Sequence, residues 1–188
     1  MPHLLRIFAL FLVLSCSAVA QESTPTRVRV ETSMGNFVIE LASARAPLTV
    51  ANFLEYVRAG HYEGTIFHRV VSNFVVQGGG LDEKLAEKPT RQNIPNESGN
   101  GLSNRRGTVG MARTGEAHSA NTQFFVNLAD NSTLDPQPSR WGYAVFGQVI
   151  EGMDVVDAIG AVATGAVGHL ESDAPIKAVV IQRIVEIK

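Results

Sequence analysis

The sequence predicts a mostly antiparallel β domain, barrel or sandwich, carrying two helices. Three observations predict it: many short apolar or alternating runs bounded by Gly, Pro and Asn, only two stretches with helical spacing, and no internal repeat or linker. Pattern alone does not choose between barrel and sandwich. At 188 residues the chain is one domain by length and can bury a core of its own.

Residues 1–20 are set aside as a signal peptide: Arg6 precedes an apolar run from Ile7 to Leu14, and Ala18-Val19-Ala20 has the small-x-small pattern of a cleavage site. That run is too short to span a bilayer as a helix. A lipid anchor at Cys16 is the alternative, disfavoured because Leu14 stands where such processing sites take a small residue. The expectation is an exported, soluble, monomeric protein beginning near Gln21 and left without cysteine, so it needs no disulfide in an oxidising compartment. The formal net charge is −2, and removing Arg6 makes it about −3. That balance offers no surface for a polyanion, and the adjacent pair Arg105-Arg106 reads as a solvated face, so no nucleic-acid partner is expected.

Residues 21–27 read as a flexible lead-in and 28–188 as the folded domain. Val28–Thr32 alternates, Ser33–Asn36 supplies turn residues and Phe37–Leu41 follows, which predicts a hairpin. Pro47 suits a helix start, Val50, Phe53, Leu54 and Val57 share one face, and Gly60 is a stop. Leu81–Asn104 has little periodicity and reads as a long functional loop. Gly107–Ala112, Gln123–Leu128 and Tyr143–Val149 read as strands, Val155, Val156 and Ile159 mark a short helix, and Ile176–Ile187 closes with β-rich alternation.

The stretch Phe67–Gly80 organises the rest. Two apolar runs flank a Ser72-Asn73 turn and end in Gly78-Gly79-Gly80, so two adjoining strands break sharply there. Arg69 and Gln77 stand out among apolar neighbours. A half-buried guanidinium needs an internal carboxylate, a ligand, or a path along which its stem reaches solvent. The sequence has no G-x-S-x-G elbow, no phosphate loop and no H-E-x-x-H, and His61, His68, His118 and His169 lack metal-ligand spacing. Each histidine reads as a satisfied core or loop residue. No metal or cofactor is expected.

The segment Phe67-His68-Arg69-Val70-Val71 with Phe74 and Gln77-Gly78-Gly79 resembles the signature of the cyclophilin family of peptidyl-prolyl isomerases. Arg106–Arg113, Asn121–Val126 and Val145–Val149 resemble its next motifs in the same order, so the likeness runs from about Val28 to Lys188. The resemblance implies a closed eight-stranded antiparallel barrel with a helix over each open end. It implies an enzyme that rotates X-Pro bonds in unfolded or flexible polypeptides. Arg69 would donate to the prolyl nitrogen, with Gln77 on a substrate carbonyl, Gln123 in support, and Ala112 and Arg113 aligning the peptide through backbone groups. Phe74, Val75, Phe125 and Leu134 would line the proline pocket and Tyr143 close one side, whereas Phe124 and Val126 read as plain core.

Three positions depart from the familiar eukaryotic pattern: Val75 where methionine is usual, Thr133 where tryptophan is common, and Tyr143 where histidine is usual. The last resembles bacterial members, and with the export segment it places the protein in the periplasm. Thr133 implies weak cyclosporin binding, unless Trp141 of the same loop replaces part of the missing ring. A non-catalytic proline-peptide binding module or holdase is the competing expectation.

Overall fold

The computed structural model describes residues 25–188, so the expected export segment, Cys16 and residues 21–24 lie outside the described residues. The elements are β1 (Arg27–Thr32), β2 (Gly35–Leu41), α1 (Pro47–Arg58), β3 (Thr65–Ile66), β4 (Arg69–Val71), β5 (Val75–Gly78), β6 (Thr108–Met111) and β7 (Phe124–Asn127). They continue with β8 (Val145–Glu151), α2 (Met153–Gly160), β9 (Thr164–Val167), β10 (Leu170–Pro175) and β11 (Val180–Ile187). Nine strands form one antiparallel sheet in the order β3-β11-β1-β2-β8-β6-β7-β5-β4. Its two edge strands, β3 and β4, are separated in the chain by Phe67 and His68 alone. The edges are therefore halves of one bent segment, and the sheet closes into the expected eight-stave barrel.

Alternation builds the hairpin that starts the barrel. Val28 and Val30 on β1 face Ile39 and Phe37 on β2, and all four are buried. Thr32 Oγ1 donates to the Gly35 carbonyl at 2.7 Å and accepts from the Met34 N–H at 3.0 Å, closing the turn. Strand β1 begins one residue before the expected boundary, because the Leu41 N–H donates to the Thr26 carbonyl at 2.8 Å.

Helix α1 starts on Pro47, buries Val50, Phe53, Leu54 and Val57, and ends before Gly60, whose φ of 65° suits a residue without Cβ. Phe53 sets its ring centroid 5.1 Å from Phe146, 5.2 Å from Tyr62 and 5.7 Å from Phe124, the aromatic centre of the core. Ala46 has no side chain with which to cap the helix, and the cap comes from the long loop. Glu97 accepts from the Leu48 N–H at 3.1 Å, and from the Thr49 N–H and Oγ1 at 2.7 Å each. A carboxylate at a helix N-terminus also meets the positive end of the helix dipole. Glu97→Ala is expected to lower unfolding stability by about 1–2 kcal/mol, read from the urea midpoint. An unchanged midpoint would remove Glu97 from this role.

The same helix and the turn after it hold the approach to β7. Asn52 Nδ2 donates to the Asn121 carbonyl at 2.5 Å, and Tyr62 Oη to the Thr122 carbonyl at 2.9 Å. Strands β9 and β10 form a separate hairpin lying against β4, which the sequence pattern does not predict. It mixes Gly, Ala, Ser, Asp and Pro with a few larger apolar residues, and only Ala174 and Pro175 are buried, so neither β propensity nor alternation marks it.

Candidate active site

Strand register assembles the site. Arg69 of β4 stands opposite Gln77 of β5, Gln77 opposite Phe125 of β7, and Phe125 opposite Gly110 of β6. Directly opposed residues share a face, so these four make one row across four strands. The next row, Val70, Val76, Val126 and Val109, alternates to the other face and is buried to 1% exposure or less. Valines fill the barrel while arginine, glutamine and phenylalanine face outward. The site therefore sits on the barrel's flank.

Nine of the ten sequence-predicted residues line one cavity of about 250 Å³: Arg69, Phe74, Val75, Gln77, Ala112 and Arg113 with Phe125, Leu134 and Tyr143. Val75 and Phe125 are its buried floor, and Tyr143 meets Phe125 edge-on at 5.8 Å. The tenth, Gln123, lines an adjoining cavity of about 270 Å³ that shares Gln77, Ala112 and Arg113. It still reaches the first, because Gln77 Nε2 donates to Gln123 Oε1 at 3.0 Å. Arg69 Nη1 lies 3.4 Å from Gln77 Oε1, and its guanidinium carbon 5.9 Å from the Phe74 ring centroid. The turn that brings Phe74 back over this row passes through Asn73 at φ 57°, a conformation asparagine tolerates.

Ala112 and Arg113 each carry a group engaged within the protein. The Ala112 N–H donates to the Gln123 carbonyl at 2.9 Å. The Arg113 guanidinium is also engaged: it donates to the Gly142, Trp141 and Thr114 carbonyls at 3.1, 2.6 and 2.8 Å and sits 4.5 Å from the Tyr143 ring centroid. It works as a wall that props Tyr143. Trp141 meets the His118 ring at 5.2 Å and is not among the residues lining the first cavity.

A buried amide chain, silent in the sequence, fixes two walls. Asn131 Nδ2 donates to the Phe74 carbonyl at 2.9 Å and to Asn127 Oδ1 at 2.8 Å, while Asn127 Nδ2 donates to Asn104 Oδ1 at 3.2 Å. Asn104 donates to Asp135 Oδ1 from its N–H at 2.7 Å and its Nδ2 at 2.9 Å, and Ser103 Oγ donates to Asp135 Oδ2. Burial alone would raise the Asp135 pKa, but the hydrogen bonds from Ser103 and Asn104 outweigh it and hold the carboxyl below its usual value. Phe74 and Leu134 are thereby tied to one satisfied network.

Phe124 and Val126 are wholly buried, the core role expected of them. His68 is not the satisfied core histidine expected. It is buried, and its Nδ1 finds no partner among the described residues. Burial lowers its pKa from 6.5 to about 4, an Ile66 backbone hydrogen bond offsets part of this, and the Arg69 charge adds to it. The imidazole next to Arg69 is therefore neutral at pH 7. Between those two values the unfolded chain takes up a proton that the folded chain refuses, so stability rises with pH across the window. Acidifying from about 6.5 to about 4 is expected to cost up to about 3 kcal/mol through His68. Denaturant unfolding against pH checks this, and a slope unaltered in His68→Gln would refute it.

A family model described as cyclophilin type peptidyl-prolyl cis-trans isomerase/CLD matches residues 27–186. A peptidyl-prolyl cis-trans isomerase of Streptomyces antibioticus is 54% identical over 159 residues, covering 82% of this chain and 95% of its own. Isomerase B of Escherichia coli is 47% identical over 160 residues, covering 84% of this chain and 97% of its own. The crystal structure of a Cryptosporidium parvum cyclophilin-type isomerase superposes with a TM-score of 0.72 over 88% of this chain and 99% of its own; at 24% identity it supports the fold alone. With the barrel, the outward row of Arg69, Gln77 and Phe125, and these matches taken together, the chain belongs to the cyclophilin-type peptidyl-prolyl cis-trans isomerase family.

Proposed function

We propose that the protein accelerates rotation about X-Pro bonds in exported polypeptides, with Arg69 as the donor that stabilises the twisted transition state. Amide resonance opposes that rotation with a barrier of roughly 18–20 kcal/mol. As the bond twists, conjugation is lost and the prolyl nitrogen regains a lone pair able to accept a hydrogen bond. A fixed, permanently charged donor over that nitrogen favours the twisted state over either planar one. The observation that carries this is the setting of Arg69. Arg69 lines a cavity with Phe74, Val75, Phe125, Leu134 and Tyr143, a glutamine and a phenylalanine ring stand beside its guanidinium, and it forms no ion pair among the described residues. A half-buried cation left without an acid is ready for a ligand's lone pair.

Phe74, Val75, Phe125, Leu134 and Tyr143 hold the proline ring, Gln77 braced by Gln123 holds a substrate carbonyl, and the Ala112 carbonyl aligns the chain. Rotation needs no metal and no cofactor in this scheme. Thr133 is exposed and Trp141 faces elsewhere, which supports weak cyclosporin binding. Arg6 and the apolar run after it support export to the periplasm, where the enzyme works as a monomer. NMR exchange spectroscopy on an X-Pro peptide tests the activity. Cis-trans cross-peaks that grow with added protein are expected. Shift changes without exchange would make the protein a binding module or holdase.

A further inference from the structure

Trp141 is the only tryptophan of the chain and is 48% exposed. Its backbone is firmly held. The Trp141 carbonyl accepts from Arg113 Nη2 at 2.6 Å, the Gly142 N–H donates to Ser98 Oγ at 3.1 Å, and the Gly142 carbonyl accepts from Asn96 Nδ2 at 3.0 Å. The indole lies edge-on to the His118 ring, with centroids 5.2 Å apart, and His118 Nδ1 accepts from the Asn96 N–H at 3.0 Å. An exposed indole on so fixed a backbone has already lost most of its freedom, so covering it gains apolar burial with little further ordering. The proline cavity is close by: Tyr143 is its wall, and Arg113 touches both the Tyr143 ring and the Trp141 carbonyl. Trp141 also borders an open cavity of about 420 Å³ with Ser98, Gly99, Pro136, Pro138 and Arg140, and with no acidic residue in its lining.

We propose that Trp141, backed by His118, is a specificity contact outside the proline pocket, taking an apolar, above all aromatic, side chain of the same proline-containing polypeptide. It is a deepening of the isomerase function and rests on it. Arg113 links the two places, its guanidinium reaching both the Tyr143 ring and the Trp141 carbonyl. Extended chain advances about 3.3 Å per residue, so the occupant is a residue flanking the proline in the same chain. An aromatic face suits the indole because stacked or edge-on rings gain beyond their burial.

The test uses the full protein and a heptapeptide X-Pro series with phenylalanine placed in turn at each flanking position, against an all-alanine parent. One placement is expected to raise kcat/KM about tenfold over the parent, worth about 1.4 kcal/mol, and to shift the tryptophan emission to the blue. In Trp141→Ala the ratio of the two peptides is expected to fall to about one, and in Trp141→Phe to survive. No preferred placement, or a ratio preserved in Trp141→Ala, would overturn the contact. Emission from the wild-type protein, with its single tryptophan, gives a second measure should that variant fold poorly: an emission unchanged by every peptide also overturns it. A blue shift without turnover would keep the contact and refute isomerisation.

Discussion

Arg69→Ala is expected to lower kcat/KM by about a hundredfold to a thousandfold and to leave the barrel folded. Removing one preorganised donor aimed at developing charge costs on the order of 3–4 kcal/mol in enzymes of other kinds, and a single guanidinium is here the one charged group lining the cavity besides Arg113. Arg113 cannot substitute, since three backbone carbonyls hold its nitrogens. The fold should survive because Arg69 faces outward and carries no ion pair among the described residues, while the inward neighbour Val70 keeps its place. Exchange spectroscopy gives the rate and thermal unfolding the fold. Turnover within a few-fold of wild type would remove Arg69 from the mechanism.

Gly110→Ala is expected to cost about tenfold to a hundredfold in kcat/KM. Gly110 closes the outward row beside Phe125, and a Cβ there would stand 2.8 Å from both Cε atoms of that ring, with Cζ nearer still. The ring must swing, and it forms the pocket floor against Tyr143. Misplacing a pocket group by an ångström costs on the order of a hundredfold in rate, and overpacking costs about 1–3 kcal/mol in stability. A double-mutant cycle with Phe125→Leu isolates the clash: the cost of Gly110→Ala should shrink in that background. An equal cost in both backgrounds would place the effect elsewhere.

The two expectations differ in how far the sequence alone could supply them. Arg69 was visible because a charge inside an apolar run is costly, and Phe74, Gln77 and Phe125 because they stand in ordered motifs. Helix α1 and the first hairpin were visible through periodicity. Gly110 was not, since its role is the side chain it lacks and the strand opposite it lies fifteen residues on in the chain. Closure of the barrel was visible only through the motif resemblance and not through the pattern, because it depends on two edge strands being one bent segment. The asparagine chain from Asn104 to Asn131 consists of polar residues that usually mark loops, and only the fold turns them inward. Glu97 caps a helix that begins fifty residues earlier, a pairing no local capping pattern includes. Trp141 was visible as a residue but its direction was set by Arg113, Ser98 and Asn96, all distant in sequence.

Arg69 is assigned to the transition state, so the most direct measurement separates binding from turnover in one sample. Peptide Kd by shift titration and the exchange rate at saturation would be read for wild type and Arg69→Ala. We expect Kd to stay within about threefold while the saturated rate falls by about a hundredfold or more. A variant that loses binding and turnover in equal measure would contradict this, because Arg69 would then be holding the substrate in its ground state.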